Sequence, residues 1–145
     1  MHHPIRTLTT TAVAAGLLTL GAALPSHAAS AATLTVDRTA KISADGLTAR
    51  VAGTLTCAGT DPAEIYVQLA GSVGNLGAGM GLGKVNCNNN TPVGWAVDVE
   101  HFLGRAWEAG TGWATVTATP DPNPFGGTPP FTEVTVNVQD MSLTK

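Results

Sequence analysis

Hydrophobic and polar positions alternate with a period of two along most of the chain. In the segment Thr48–Cys57, Val51 and Leu55 share one parity, whereas Arg50 and Thr54 share the other. This alternation is typical of a β-strand with one buried and one solvated face. The pattern recurs, in places more broken, in Leu34–Val36, Ala40–Ser43, Ile65–Leu69, Trp95–Val99, Ala114–Ala118 and Val134–Val138. The chain therefore predicts about seven short strands.

The segments between these strands favour an all-β fold. Gly, Pro and Asn cluster there, and Asp45-Gly46 is a tight-turn signal. The nearest candidate for a helix is the segment 100–109, which Gly104 and Gly110 limit to a turn or two. Short strands at this spacing predict a sandwich of two antiparallel sheets.

The N-terminus has the pattern of a secretory signal peptide over residues 1–28. A short cationic start ends at Arg6, the apolar run Ala12–Leu24 follows, and Ser26-His27-Ala28 supplies small residues for a cleavage site. The apolar run is too short for a membrane-spanning helix, which needs about 20 residues. We expect cleavage after Ala28, secretion of Ala29–Lys145 as one extracellular domain, and no membrane attachment afterwards.

Cys57 and Cys87 are the only two cysteines, and both follow the predicted leader. An oxidising compartment favours a disulfide between them. Both lie on the inward parity of their segments, so a bridge beside the core is sterically plausible. The alternative is two free buried thiols.

The composition excludes several classes of partner. Charged residues make up only 12% of the chain and the formal net charge is −3, so no basic surplus exists for nucleic acid or an anionic membrane. The hydrophobic share of 43% is far above that of a disordered chain. We predict no cofactor and no metal.

Several motifs together carry a resemblance to a known group. They are Leu34-Thr-Val-Asp37, Asp45-Gly46, Val51-Ala-Gly-Thr-Leu-Thr-Cys57, Cys87, Trp95-Ala-Val-Asp-Val99, Gly104-Arg105-Ala106 and Val134-Thr-Val-Asn-Val138. The pattern resembles small exported actinobacterial proteins that have a single immunoglobulin-like domain and no assigned activity. The resemblance implies an immunoglobulin-like antiparallel β-sandwich with one disulfide.

A fainter resemblance concerns Asp45-Gly46 followed by Val51-Ala52-Gly53. This piece is similar to the neocarzinostatin-type apoproteins, exported sandwiches that carry a small chromophore. It implies an alternative function as a small-ligand carrier, with a pocket between strands lined by Gly77–Gly83, Trp107 and Trp113.

The candidate catalytic residues do not match a known arrangement of nucleophile, base and acid. Ser72 lies in a near match to a nucleophile elbow, but glycines follow where the elbow needs a helix. The only histidine after the leader that could act as a base is His101. Asp98 and Glu100 share one strand face, which is typical of a solvated surface as well as of paired carboxylates. We predict that the protein is not an enzyme, with a small hydrolase as the alternative.

The glycine-rich run Gly74–Lys84 does not have the spacing of a phosphate-binding loop. Ala78 and Val85 stand where that loop needs Gly and Ser or Thr. The run therefore predicts a flexible connection or a glycine-rich strand near a sheet edge.

The tryptophans supply the best candidate for a binding site. Trp95 has core parity, whereas Trp113 points outward from its strand, and Trp107 lies in an irregular connection beside Arg105. We predict an exposed patch of Trp107 and Trp113 with Arg105 at its rim, because these residue types dominate binding hot spots. The alternative is that Trp107 covers one end of the fold and Phe131 the other. The predicted function is a secreted, non-catalytic binding or structural module for a protein, glycan or small-molecule ligand.

Overall fold

A computed structural model of the chain describes residues 30–71, 77–121 and 129–145. No helix lies within these ranges, so the prediction of an all-β fold is confirmed. The predicted leader lies outside the described residues. The strands are β1 (Thr33–Val36), β2 (Thr39–Ile42), β3 (Thr48–Thr56), β4 (Pro62–Gly71), β5 (Ala78–Asn86), β6 (Val93–His101), β7 (Gly110–Pro120) and β8 (Val134–Thr144).

Seven of these strands close into a barrel. The hydrogen-bonded order runs β3-β2-β8-β7-β4-β5-β6 and returns to β3, while β1 pairs with β3 from outside the ring. All neighbours are antiparallel except β2 and β8. The two separate sheets expected from the strand spacing are thus joined into one closed sheet. One half of this sheet contains β3 and β6, and the other contains β8, β7 and β4. β2 pairs with β3 and β8, and β5 pairs with β4 and β6, so these two strands join the halves.

The ladders between β5 and β6 and between β2 and β3 are the shortest of those described, and the ladder between β2 and β8 has only three pairs. β5 and β6 pair only at Gly79↔His101 and Met80↔Glu100, and β2 and β3 pair only at Lys41↔Arg50 and Ile42↔Ala49. By contrast, β4 pairs along its whole length with both β5 and β7. Packing rather than a long ladder therefore holds the barrel closed at these junctions.

The inward parity of each strand forms the core, as the alternation predicts. Val51 faces Val97 across β3 and β6, and Val67 faces Val116 across β4 and β7. All four are at most 3% exposed. Burial of each such side chain stabilises the fold by about 1.5–3 kcal/mol relative to exposure.

Two large aromatic side chains close opposite ends of the barrel. Trp107 follows the end of β6 at which Thr48 pairs with Glu100, and Phe131 lies beside Ser30, near the end at which β1 begins. Trp107 is 1% exposed and Phe131 is fully buried. The alternative in which these two residues close the fold is therefore the one that the structure shows.

The disulfide between Cys57 and Cys87 is present, with Cα atoms 5.3 Å apart, which confirms the predicted pairing. Both cysteines are buried. The bridge ties the chain just beyond β3 to the chain just beyond β5, and the Cys87 N–H donates to the Asp61 carbonyl at 3.0 Å. In the chain-entropy model, a disulfide that closes a loop of this length stabilises the folded protein by about 3–4 kcal/mol.

The inward row of β5 begins with three glycines, Gly79, Gly81 and Gly83, and ends with Val85. A β-carbon at Gly81 would stand 2.6 Å from the Asp98 carbonyl oxygen and 2.6 Å from a Val97 methyl group, and one at Gly83 would stand 2.8 Å from Val97. A β-carbon at Gly79 would overlap the Glu100 carbonyl oxygen. The β5 backbone therefore packs directly against β6. Of the two alternatives for the glycine-rich run, the glycine-rich strand is the one present over residues 78–84; residues 74–76 lie outside the described residues. The strand pairs with β4 along its length and with β6 at two positions, so it does not lie at a sheet edge there.

We expect Gly81→Ala to destabilise the protein by about 1–3 kcal/mol, because the new methyl group must displace β6 backbone. Gly94→Ala is the matched control, since nothing lies within 4 Å of a β-carbon at that position of β6. The Gly94→Ala substitution should change the free energy of unfolding by about 0.5 kcal/mol or less. Urea midpoints measure both variants, and equal midpoints would contradict the packing of β5 on β6.

Candidate binding face

The structure buries one member of the predicted Arg105–Trp107–Trp113 patch. The Trp107 indole N–H donates to the Val99 carbonyl at 3.0 Å, and the ring packs edge-on to His101 with centroids 5.2 Å apart. The prediction that Trp107 is exposed is therefore wrong: its apolar area closes the barrel end instead. Trp113 is 42% exposed, and Arg105 is exposed as well. With Trp107 inside, the three residues do not form one exposed patch.

The pocket suggested for a carrier is filled by the protein itself. A β-carbon at Gly77 would meet the Trp107 ring at 3.1 Å and one at Gly79 of β5 would meet it at 2.9 Å, so these two glycines and the indole are already in close contact. Trp113 lies on the outward parity of β7, between the buried Gly112 and Ala114. The residues proposed to line one pocket thus lie on opposite faces of the sheet.

The acids and the histidine considered for catalysis face different ways. His101 is 8% exposed, and its Nδ1 accepts the Leu103 N–H at 3.1 Å. Asp98 and Glu100 point to solvent on the outer face of β6, as the alternation predicts. Ser72 lies outside the described residues. Among the residues described, no group of three or more His, Cys, Asp or Glu is arranged to hold a metal ion.

Large apolar side chains instead gather on the outer face of β8-β7-β4-β5. We call this surface the aromatic face. Register aligns three of its rows across the strands. They are Trp113, Ala70, Ala78 and Phe102; then Asn137, Thr115, Gln68 and Met80; then Thr135, Thr117, Tyr66 and Leu82.

The first row places two exposed rings on either side of two alanines. Trp113 is opposite Ala70, which is opposite Ala78, and the Phe102 N–H donates to the Ala78 carbonyl at 2.9 Å. Phe102 is 58% exposed. Three strand spacings of about 4.8 Å separate the two aromatic residues by roughly 14 Å between Cα atoms. Ala70 and Ala78 form the floor between them, called here the alanine floor.

The next two rows carry neutral hydrogen-bonding groups that hold one another in place. The Gln68 amide donates to the Tyr66 hydroxyl at 3.2 Å, and the Thr115 hydroxyl donates to the Asn137 carboxamide oxygen at 2.7 Å. Thr117 and Thr135 hydroxyls are 2.9 Å apart. These side chains are therefore ordered before any ligand arrives, which lowers the entropy cost of binding.

Charged side chains stand at the margins of the aromatic face. At one end, the Lys84 ammonium lies 3.3 Å from both Asp121 and Glu64, and its hydrogen bonds to these two carboxylates raise the Lys84 pKa. Glu100 lies beyond β5, opposite Met80. The centre of the face is therefore uncharged, and the nearest described ammonium group is already paired.

The outer face of β3 and β6 is charged by comparison. The Arg50 guanidinium donates two hydrogen bonds of 2.8 Å to the Asp98 carboxylate. These hydrogen bonds lower the Asp98 pKa. The two outer faces of the barrel thus differ in chemistry, one with an ion pair and one neutral and aromatic.

Phe102, Met80, Leu82 and Tyr66 were missed as site residues by sequence reasoning. A signal for two of them was present: in 77–83, every second residue is glycine and the residues between are Ala78, Met80 and Leu82. Read as a strand, this alternation places the large residues together on one face.

No protein-family model matches the chain, and no curated protein sequence matches it. In the part of the chain that the structure describes, no helix is long and apolar enough to cross a membrane.

We expect Arg50→Ala to raise the Asp98 pKa toward its ordinary value, because both hydrogen bonds to the guanidinium are lost. Carboxyl titration by NMR measures the pKa. Asp45 is the internal control: the Ser43 hydroxyl and the Leu47 N–H lower its pKa, so it should respond to Ser43→Ala and not to Arg50→Ala.

The sign of the associated stability change follows from the lowered Asp98 pKa. The contribution of the pair to folding is complete above the unfolded-state pKa of about 3.9 and is lost as the pH falls through the folded-state value. Arg50→Ala should therefore flatten the acid limb of the stability curve. An unchanged Asp98 titration would show that the ion pair does not form in solution.

Acrylamide quenching of variants that keep one tryptophan should separate Trp113 from the other two. Trp113 is 42% exposed, whereas Trp95 is 6% and Trp107 is 1% exposed. We expect strong quenching for the Trp113-only variant and weak quenching for the other two. Strong quenching of Trp107 would mean that the barrel end is open in solution.

Proposed function

We propose that this chain is an exported, non-catalytic binding domain of immunoglobulin-like type that engages an extracellular ligand through its aromatic face. One observation carries the proposal. Among the described residues, six large hydrophobic side chains are exposed, and five of them lie on this face or in the turn that borders it: Met80, Leu82, Phe102, Leu103 and Trp113. Large exposed apolar side chains gathered on one surface mark interaction sites.

Export is supported by the leader pattern of residues 1–28 and by the buried disulfide. Structural disulfides form and persist mainly in oxidising compartments. The immunoglobulin-like assignment is supported by the strand pairing: the N-terminal strands divide between the two halves, with β1 on β3 and β2 on both β3 and β8. Such pairing is expected in a sandwich of two packed sheets when the first part of the chain pairs with one sheet and the next part pairs with the other.

A non-catalytic role is supported by how the candidate acid and base groups are used. Nδ1 of His101 is occupied by the turn that follows β6, and Asp98 is held by Arg50. Neither group is positioned to exchange a proton with a ligand on the aromatic face.

A small-ligand carrier is the second candidate, and the short β5–β6 ladder is the observation that favours it. Separation of β5 from β6 would uncover Val97 and Trp107. In the closed barrel these groups are in contact with the β5 backbone, so a carrier would have to open this junction to load its ligand.

The test compares the material that co-purifies with the wild-type protein and with two variants, each recovered from the culture medium of the cells that produce it. We expect the wild-type protein to begin at Ala29 and to retain bound material that a Trp113→Ser/Phe102→Ser variant loses. Leu47→Ser is the matched control, because Leu47 is a 52% exposed leucine outside the aromatic face. Mass spectrometry of the recovered material measures the difference.

Two outcomes would overturn the proposal. Retention of the protein inside the cells would contradict export. The same recovered material in all three proteins, with the same thermal stability, would show that the aromatic face is not the binding site.

A further inference from the structure

We infer that the ligand of the aromatic face is a neutral polysaccharide chain, one sugar ring of which lies over the alanine floor between Trp113 and Phe102. The inference rests on the proposed function and names the ligand class of the same face. It depends on four properties of the surface: its charge, its area, its backbone pairing and the geometry of its first row.

The charge of the face selects a neutral ligand. Among the residues described on this face, the one ammonium group, that of Lys84, is held between Glu64 and Asp121 and is not available to an acidic chain. Glu100 at the other margin would repel an anion, and the whole chain carries a net charge of −3. A cationic ligand would meet carboxylates only at the margins, at Glu100 and at the exposed Asp140 of the β8 bulge beside Trp113, and neutral groups in the two inner rows. Hydroxyl-bearing ligands without charge match these rows best.

The area of the face argues against a folded protein or a second copy of this chain. Five strand positions, from β8 to the end of β6, and three rows give a footprint of roughly 24 by 20 Å, or about 480 Å². A stable protein interface needs about 800 Å² from each partner. A narrow linear chain of sugars fits the smaller footprint.

The backbone pairing argues against an extended peptide. Such peptides gain affinity by adding a strand to an open sheet edge. The middle of the face is made by β4 and β7, and β4 is hydrogen-bonded to a neighbour on each side along its length. A peptide laid across the middle of this surface would find the main-chain groups of β4 already paired, whereas sugar hydroxyls bond to side chains such as Gln68 and Asn137.

The first row supplies the stacking geometry. The apolar face of a sugar ring packs against an aromatic ring, whose exposed area is large and rigid. The small side chains of Ala70 and Ala78 let a ring approach the sheet, while Trp113 and Phe102 flank it. The neighbouring amide of Gln68 and hydroxyl of Thr115 are in position to bond the hydroxyls of the sugar.

Affinity electrophoresis tests the inference with four soluble neutral polysaccharides in the gel: a mixed-linkage glucan, a xylan, a mannan and a glycol chitin. We expect at least one to retard the wild-type protein. Trp113→Ala and Phe102→Ala should each weaken binding by about tenfold or more, since aromatic anchors dominate binding energies. Leu47→Ala, outside the face, should bind within twofold of the wild-type protein.

A further variant separates the site from the stability of the fold. Ala78→Leu keeps both aromatic rings and fills the alanine floor, so it should abolish retardation while thermal melting shows a folded protein. Loss of binding in Trp113→Ala with full binding in Ala78→Leu would contradict the placement of a ring over the floor.

Three results would overturn the ligand class. They are no retardation by any of the four polysaccharides, retardation by acidic alginate alone, and co-flotation with phosphatidylcholine vesicles in place of polysaccharide binding. A dimer in sedimentation that Trp113→Ala abolishes, without retardation, would identify a second copy as the occupant. If the recovered material of the preceding test depends on the face but is not carbohydrate, the binding function stands and the polysaccharide ligand is wrong.

Discussion

The close approach of β5 to β6 is the contact on which the rest of the structure depends. Only two residue pairs join these strands in the hydrogen-bonded ladder. The barrel is therefore closed there by packing of the β5 backbone against the β6 backbone, Val97 and Trp107. Such an approach requires glycine at Gly79 and Gly81, where any side chain would overlap the carbonyl groups of β6. The inward row of one strand thus determines that the sheet closes.

The same constraint shapes the outer surface. Because glycines fill the inward positions 79, 81 and 83 of β5, the large residues of this stretch lie on the outward positions, where Met80 and Leu82 are exposed. The pairing of Gly79 with His101 also brings Phe102 into line with Ala78, at the end of the row that begins with Trp113. The feature that closes the interior therefore creates much of the aromatic face.

The low charge content of the chain divides its two outer faces. The Arg50–Asp98 pair lies on the face of β3 and β6, and the Lys84 pairs lie at one end of the aromatic face. Exposed ion pairs contribute little stability, because water and salt screen the charges. The positions of these ion pairs matter more than their energies. The surface between them is neutral and carries aromatic rings, amides and hydroxyls.

The sequence alone determined which side faces inward in most strands, β5 excepted, because the two-residue period is a local property of an extended chain. It therefore predicted the buried positions of Leu55 and Trp95, the outward Trp113 and the pairing of Cys57 with Cys87. Only the tertiary structure decided that the strands close into one barrel, that Trp107 closes its end, and that Phe102 joins the row of Trp113. These outcomes depend on which strands become neighbours, and contacts between residues far apart in the chain leave no periodic signal in the sequence.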